Sequence, residues 1–147
     1  MTILAKRSTF FDYQRLARCS RGASAVEFAI LLPLFLVLVF GIVVFGAYFT
    51  MVHGVQQLAA EAARSSVAGL SETERVSLAE NYVTTNAGSY PLLQPSHLTV
   101  SAATSGSDVF IVTVNYDASG NFIYALPFVP SPPSTIARSA AIPFGGF

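Results

Sequence analysis

Residues 28–52 read FAILLPLFLVLVFGIVVFGAYFTMV, a stretch of 25 residues without an Asp, Glu, Lys or Arg. At about 1.5 Å of rise per residue, a helix of this length is roughly 37 Å long, more than the roughly 30 Å hydrocarbon core of a bilayer. The apolar region of a secretory signal has only about 7–15 residues. The stretch therefore predicts one transmembrane helix.

The composition of the whole chain agrees with a membrane segment. Of its 147 residues, 52% are hydrophobic and 11% are charged, whereas soluble domains carry roughly 25% charged residues. Cys19 is the single cysteine and lies before the apolar stretch. The part after the stretch must therefore fold without an intrachain disulfide.

Charged residues are distributed unevenly on the two sides of the apolar stretch. Before Ala23 there are five bases and one acid, and after the stretch there are three bases and six acids. Lys and Arg beside a membrane helix favour the cytoplasmic side. We expect a cytoplasmic N-terminus and a translocated C-terminal part. A basic N-terminal segment can also bind nucleic acid. Beside such a helix, however, its Lys and Arg residues are more simply explained as a signal for membrane orientation. No nucleic-acid partner is therefore expected.

The sequence directly after the apolar stretch predicts two helices. Residues 53–68 (HGVQQLAAEAARSSVA) are alanine-rich and amphipathic, so one long helix should run from about Ala25 to Ala68, with Gly69 as its C-cap. The apolar face of its last part comprises Val55, Leu58, Ala59, Ala62 and Val67. Ser71-Glu72-Thr73-Glu74 is a capping box that begins a second helix. This helix should end near Ala87, with Val76, Ala79 and Val83 as its apolar stripe.

The remaining residues predict a small antiparallel sheet. Residues 97–103 alternate between apolar and polar types, residues 104–108 form a turn cluster, and residues 109–116 (VFIVTVNY) are rich in β-branched and aromatic types. These two strands should form a hairpin, and residues 135–142 should supply a third strand. Residues 122–133 are apolar and rich in proline, so they are expected to be irregular.

These elements define an α+β fold class. A long N-terminal transmembrane helix continues into an amphipathic helix, followed by a second short helix and a small antiparallel β-sheet. The expected divisions are a basic cytoplasmic leader at 1–22, the transmembrane helix at 23–52, its continuation outside the membrane at 53–69, and an exported domain at 70–147.

Residues suited to catalysis or metal binding form no recognisable pattern. His53 and His97 have no metal-binding spacing, and the sequence contains neither a nucleophile-elbow motif nor a phosphate loop. We expect no catalytic residue, no metal, no cofactor and no small-molecule substrate.

The junction of the basic head and the apolar stretch, RGASAVEF at residues 21–28, carries the most information about function. Gly22 is followed by Ala23, three further small or apolar residues, and then Glu27 and Phe28. This junction resembles the class III signal of type IV prepilins, in the variant carried by TadE-like pseudopilins of tight-adherence (Flp) pilus systems. Pro33 and the segment LAAEAARSSVAG at 58–69 are also typical of that group, so the resemblance extends over about residues 21–69.

The resemblance implies a processed structural protein of the bacterial inner membrane. A membrane aspartyl prepilin peptidase would cut after Gly22, leaving Ala23 as the new N-terminus, and the C-terminal domain would lie in the periplasm. Glu27 would then pair with the Ala23 ammonium group of the same chain or of a neighbour. The implied partners are the prepilin peptidase, other pilins or pseudopilins and the inner-membrane pilus platform, in a system for adhesion or secretion.

Several alternatives stay open at the level of sequence. Glu27 could be the last interfacial residue, in contact with headgroups, and Pro33 could be either a hinge or a passive kink. The chain could also be an uncleaved single-pass anchor whose small domain binds an envelope partner or acts as a scaffold. A secreted protein with an over-long signal is a third alternative, but no small-x-small cleavage site follows the run. Whether a processed chain enters a filament or stays in the membrane is not specified.

Overall fold

The computed structural model describes residues 20–106, 108–127 and 129–143, with side chains from Ser24 onward. Its main elements are α1 (Ser20–Ser66), α2 (Glu72–Asn86), β1 (Leu98–Ser105), β2 (Val109–Asp117) and β3 (Thr135–Pro143). The predicted α+β class, with one long helix, a second helix and a three-stranded antiparallel sheet, is confirmed. Most of the predicted leader lies outside the described residues.

Helix α1 contains the apolar stretch and is assigned without a break through Pro33. It begins five residues before the predicted start and ends two residues before the predicted end. Among the described residues, it is the one helix long and apolar enough to cross a membrane. The chain divides into two compact units between Leu38 and Val39. In the first unit the described side chains are exposed, apart from the half-buried Leu32.

The start of α2 has the predicted cap. The Ser71 hydroxyl accepts a hydrogen bond from the Glu74 N–H at 3.2 Å, and the Glu74 carboxylate accepts one from the Leu70 N–H at 2.9 Å. The second bond comes from the residue before the N-cap rather than from the N-cap itself. Ala79 and Val83 are buried as predicted.

Gly69 does not have the role that the sequence predicts. Helix α1 ends at Ser66, and Gly106, not Gly69, is the glycine with a positive φ (70°) in the described residues. A Cβ on Gly69 would lie 2.8 Å from the backbone nitrogen of Arg75 and 3.1 Å from its Cα. Gly69 is therefore required because the first turn of α2 approaches it closely, and not because a left-handed cap needs it.

A Gly69→Ala substitution should consequently destabilise the domain. Because the new methyl group meets backbone atoms, α2 must shift, and we expect a cost of about 1–3 kcal/mol, as for overpacked sites. Urea unfolding of the detergent-solubilised chain, followed by near-ultraviolet circular dichroism, measures it. Gly88→Ala is the matched control, because its Cβ would lie 3.9 Å from Pro95 Cγ. Equal stability of the two variants would contradict this account of Gly69.

The three strands form an antiparallel sheet in the order β1-β2-β3. The registers align Ser101 with Thr113, and Thr113 with Ser139. The predicted hairpin and third strand are confirmed. The even-numbered residues of β2 are buried on one face of the sheet: Phe110, Val112, Val114 and Tyr116.

Side chains cap backbone groups on both outer strands of the sheet. The Glu72 carboxylate accepts a hydrogen bond from the Thr104 N–H of β1 at 3.0 Å, and this bond holds the pKa of the carboxyl below its ordinary value. On β3, the Ser139 carbonyl accepts from the Gln56 amide at 3.4 Å. The Ala137 carbonyl accepts from the Arg138 guanidinium at 2.8 Å. Capped or charged edges resist pairing with strands of other molecules.

The hydrophobic core of the second unit combines α1, α2 and the buried face of the sheet. Helix α1 contributes residues at helical spacing: Val44, Met51, Val55, Leu58, Ala59, Ala62 and Ala63. Four of the five predicted face residues belong to this set, and Val67 does not, because it lies beyond the end of α1 and is 54% exposed. From Val44 onward, therefore, one face of the apolar stretch is buried in protein.

Candidate processing and assembly segment

The predicted processing position lies in the first turn of α1. Gly22 and Ala23 both have helical backbone. A protease cleft normally binds its substrate as an extended strand, so cleavage at this position requires the first turn to open. Glycine lowers the cost of that opening by roughly 1 kcal/mol relative to alanine, because it is the weakest helix former after proline. The first turn therefore unwinds more easily with glycine at position 22 than it would with alanine.

Glu27 lies one helical turn after Ala23. Side chains four residues apart are neighbours on a helix surface, so the residue that would carry the new ammonium group is adjacent to the carboxylate. Glu27 is exposed, and it makes no hydrogen bond or ion pair with the residues that the structure describes. The arrangement leaves the carboxylate available to a cation that is either the new N-terminus or a group on another molecule.

The surroundings of Glu27 are apolar and open. Phe28 is 63% exposed and Ile30 is 71% exposed, which is typical of a surface made for lipid or for a neighbouring helix. A carboxylate in such surroundings costs free energy unless a cation or water meets it. Its position at the end of the apolar stretch, rather than in the middle, keeps this cost low.

Pro33 lies six residues after Glu27, within α1, and is exposed. Its ring nitrogen carries no hydrogen, so the carbonyl of Ala29 lacks its usual helical donor. The turn between Ala29 and Pro33 is consequently weaker than its neighbours. The segment that carries Ala23, Glu27 and Phe28 is thus separated from the rest of α1 by one weakened turn.

Sequence reasoning missed the role of Val44 and Met51, which it assigned to the membrane. Met51 is fully buried, and its Sδ accepts a contact from the Asn121 amide at 3.5 Å. The signal was present in the spacing, because Val44, Tyr48 and Met51 extend the apolar face of Val55 and Leu58 backwards by about three turns. The signal was hidden because most of the neighbouring residues are also apolar.

The described residues contain no group of three or more His, Cys, Asp or Glu side chains that could hold a metal ion. An open depression at the surface of the sheet is lined mainly by β1 together with Ile111 and Thr113, so its walls consist of small hydroxyl and aliphatic groups. Its lining includes no His, Asp, Glu or Lys that could activate one of these hydroxyl groups as a base.

Comparison with known proteins identifies one family. The model of the family described as TadE-like protein matches residues 22–64, from the predicted cleavage position almost to the end of α1. The resemblance inferred from the RGASAVEF junction and the alanine-rich segment is thereby confirmed over these residues. No curated protein and no solved structure gives a match. The match suggests involvement in a Tad pilus.

Proposed function

From the TadE-like character of residues 22–64, we propose that the chain is a minor pseudopilin needed to assemble or anchor a tight-adherence pilus. The observation that carries the proposal is the position of Gly22, Glu27 and Phe28 within the matched segment, at the start of an exposed apolar helix. This class of signal requires a glycine at the scission position and an acid one turn after the new N-terminus. The role is structural.

The chain is anchored by α1 in the bacterial inner membrane, with the basic leader in the cytoplasm and the domain in the periplasm. Burial of Val44 in the domain core supports a membrane span at about residues 24–43 rather than 23–52. About 20 residues at 1.5 Å each cover roughly 30 Å, the thickness of the hydrocarbon core. Phe45 and Phe49, which are exposed on the following turns, suit the outer membrane interface.

Processing after Gly22 removes the basic leader and creates a positive charge where none existed. The Ala23 ammonium group then lies one turn from Glu27, and a charge-assisted pair offsets the cost of keeping a carboxylate at the membrane. A neighbouring subunit can supply the same ammonium group. The partners are accordingly a prepilin peptidase, other pilins or pseudopilins, and the inner-membrane platform of the pilus.

The mature N-terminus of the chain tests this function. In cells that contain the prepilin peptidase, we expect the purified protein to begin at Ala23 by intact-mass and N-terminal peptide analysis. In otherwise identical cells without the peptidase, it should begin at Met1. A chain that begins at Met1 in both strains would reject the pseudopilin and favour the alternative, an uncleaved single-pass anchor whose domain binds or scaffolds an envelope partner.

A further inference from the structure

The chain between β2 and β3 has an unusual composition. No Asp, Glu, Lys, Arg or His occurs at residues 118–137. We call its described part between the two strands, residues 118–127 and 129–134, the β2–β3 connection. The exposed side of α2, in contrast, carries acids such as Glu72 and Glu80, so the lack of charge is local to the connection.

The β2–β3 connection has a defined conformation. The Ala118 N–H donates a hydrogen bond to the Ser134 carbonyl at 2.8 Å, which closes the base of the connection. The Tyr124 hydroxyl donates to the Pro133 carbonyl at 2.8 Å, and Ile123 is buried in the hydrophobic core. The side chains that point away from the core therefore form a fixed surface.

This outer surface is apolar. Phe122 is 52% exposed, and Ala125, Pro127 and Pro130 are exposed as well. Proline has no backbone N–H, so these prolines leave fewer donors that need water as a partner. An exposed apolar surface of this kind is typical of contact with lipid or with another protein.

Contacts with α1 fix the level of the β2–β3 connection along that helix. The Asn121 amide donates to Met51 Sδ at 3.5 Å. Burial raises the pKa of the Tyr124 hydroxyl, and the nearby Tyr48 hydroxyl adds to this effect. The connection therefore lies beside α1 at the level of Tyr48 and Met51.

On the proposed anchoring, this level is that of the lipid headgroups. The proposed membrane span ends at about residue 43, and Tyr48 follows that end by about 7 Å along the helix axis. Each headgroup layer is about 5–8 Å thick, since a bilayer of about 40–45 Å has a hydrocarbon core of about 30 Å. Val44, one turn before Tyr48, is 1% exposed, so the domain extends along α1 at least to the edge of that layer.

We propose that the β2–β3 connection is a second membrane contact, in which Phe122, Ala125 and Pro127 enter the headgroup layer around α1. Aromatic and apolar side chains are stable there because the layer is apolar on one side and wet on the other. A contact beside the helix holds the domain in one orientation on the membrane. The inference rests on the proposed anchoring by α1, although not on cleavage after Gly22.

Tryptophan fluorescence in a membrane without other proteins tests the proposal. The chain contains no Trp, so Phe122→Trp introduces a single reporter into the full chain. The purified protein is reconstituted in phosphatidylcholine vesicles whose acyl chains are brominated near the headgroup, because bromine quenches tryptophan at short range. Phe45→Trp, at an exposed position of α1, is the reference for insertion.

Leu70→Trp is the matched control, because Leu70 is apolar and 92% exposed but follows the end of α1 at Ser66. Ser66 lies about 35 Å along the helix axis from residue 43. We expect the Phe122→Trp chain to be quenched severalfold more than the Leu70→Trp chain and about as much as the Phe45→Trp chain. Equal quenching of the Phe122→Trp and Leu70→Trp chains would overturn the proposal and favour a protein as the partner of this surface.

A charge within the β2–β3 connection separates lipid contact from burial in the domain. In the Phe122→Trp background, Ala125→Asp or Pro127→Asp should each lower the quenching to the level of the Leu70→Trp chain, because a carboxylate is disfavoured at an apolar membrane boundary. Ala125→Val should retain it. Near-ultraviolet circular dichroism identifies the variants that are folded. Undiminished quenching in a folded Asp variant would reject lipid contact by this surface.

Lipid charge should not strengthen the contact. The acid next to the connection is Asp117, which is exposed and accepts a hydrogen bond from the Ser119 N–H at 2.9 Å. The connection itself carries no Lys or Arg. Replacing part of the phosphatidylcholine by anionic phosphatidylglycerol should therefore not increase the quenching of the Phe122→Trp chain. Quenching that requires phosphatidylglycerol would contradict an apolar contact.

The two proposals fail in distinguishable ways. If the Phe45→Trp chain is quenched and the Phe122→Trp chain is not, anchoring by α1 stands and the second contact is rejected. If the Phe122→Trp chain is quenched but the wild-type chain begins at Met1 in cells with the peptidase, the pseudopilin function is rejected and the contact stands.

Discussion

A Gly22→Leu chain is expected to remain entirely at its full-length mass in cells where the wild-type chain is processed to Ala23. Two effects act in the same direction. Leucine adds a side chain at the position that must fit a tight protease cleft, and it strengthens the helical first turn of α1 by roughly 0.8 kcal/mol relative to glycine. Intact-mass analysis of the membrane-extracted protein measures the processed fraction, which should fall from near completion to none.

The matched control is Gly41→Leu, a glycine in the same helix whose Cβ would have no neighbour within 4 Å. It makes the same chemical change away from the junction, so processing should proceed as in the wild type. Gly22→Ala, which adds only a methyl group, should retain partial processing. If the Gly22→Leu chain still begins at Ala23, Gly22 is not the residue that the peptidase selects.

A Glu27→Ala chain is expected to insert in the membrane normally and to lose pilus assembly. Insertion should not suffer, because a carboxylate near a helix end is a net cost that alanine removes. Assembly should fail because the ammonium group of Ala23, or that of a neighbouring subunit, loses its partner in an environment where an unpaired charge is expensive. The measurements are the membrane-bound fraction and the number of surface pili per cell.

Two further variants identify the charge as the cause. Glu27→Asp keeps the carboxylate and should restore part of the assembly, whereas Glu27→Gln keeps the size without the charge and should behave like alanine. Glu80→Ala, on the exposed side of α2, removes an acid elsewhere and should assemble normally. Wild-type numbers of pili in the Glu27→Ala strain would show that Glu27 is only an interfacial residue.

The elements of the fold were largely predictable because their signals are local. The Ser71 and Glu74 pattern specified the start of α2, and alternation along 109–116 specified β2 to within one residue. Residues 122–125 were expected to be irregular, yet they form a short 3₁₀ turn (Phe122–Ala125). Its N-cap is Asn121, whose side chain accepts from the Ile123 N–H at 3.4 Å. That cap is an Asx pattern that the surrounding prolines obscured.

Which residues of the apolar stretch belong to the domain core was not predictable from hydropathy. Lipid and a protein core select the same side chains, so Val44 and Met51 look like their exposed apolar neighbours until the fold that buries them is known. Gly69 was misassigned for a similar reason, because its constraint comes from Arg75 of the next helix. The candidate processing site depends on a different kind of signal. Gly22 and Glu27 were proposed from family resemblance, because a processing signal would be read by an enzyme outside the chain and leaves no mark on the fold.

The composition of the core has a consequence for the order of events during export. The buried stripe of α1, from Val44 to Ala63, packs in one core with Ile136 of β3, and about 70 residues of chain separate them. In the proposed orientation, with α1 in the membrane and the domain exported, α1 is synthesised and inserted first, and its stripe waits without its sheet until β3 has crossed the bilayer. Local pairing of β1 with β2 can precede this step, but closure of the core cannot. On that proposal the domain folds after translocation, and an apolar helix face stays accessible to chaperones throughout transit.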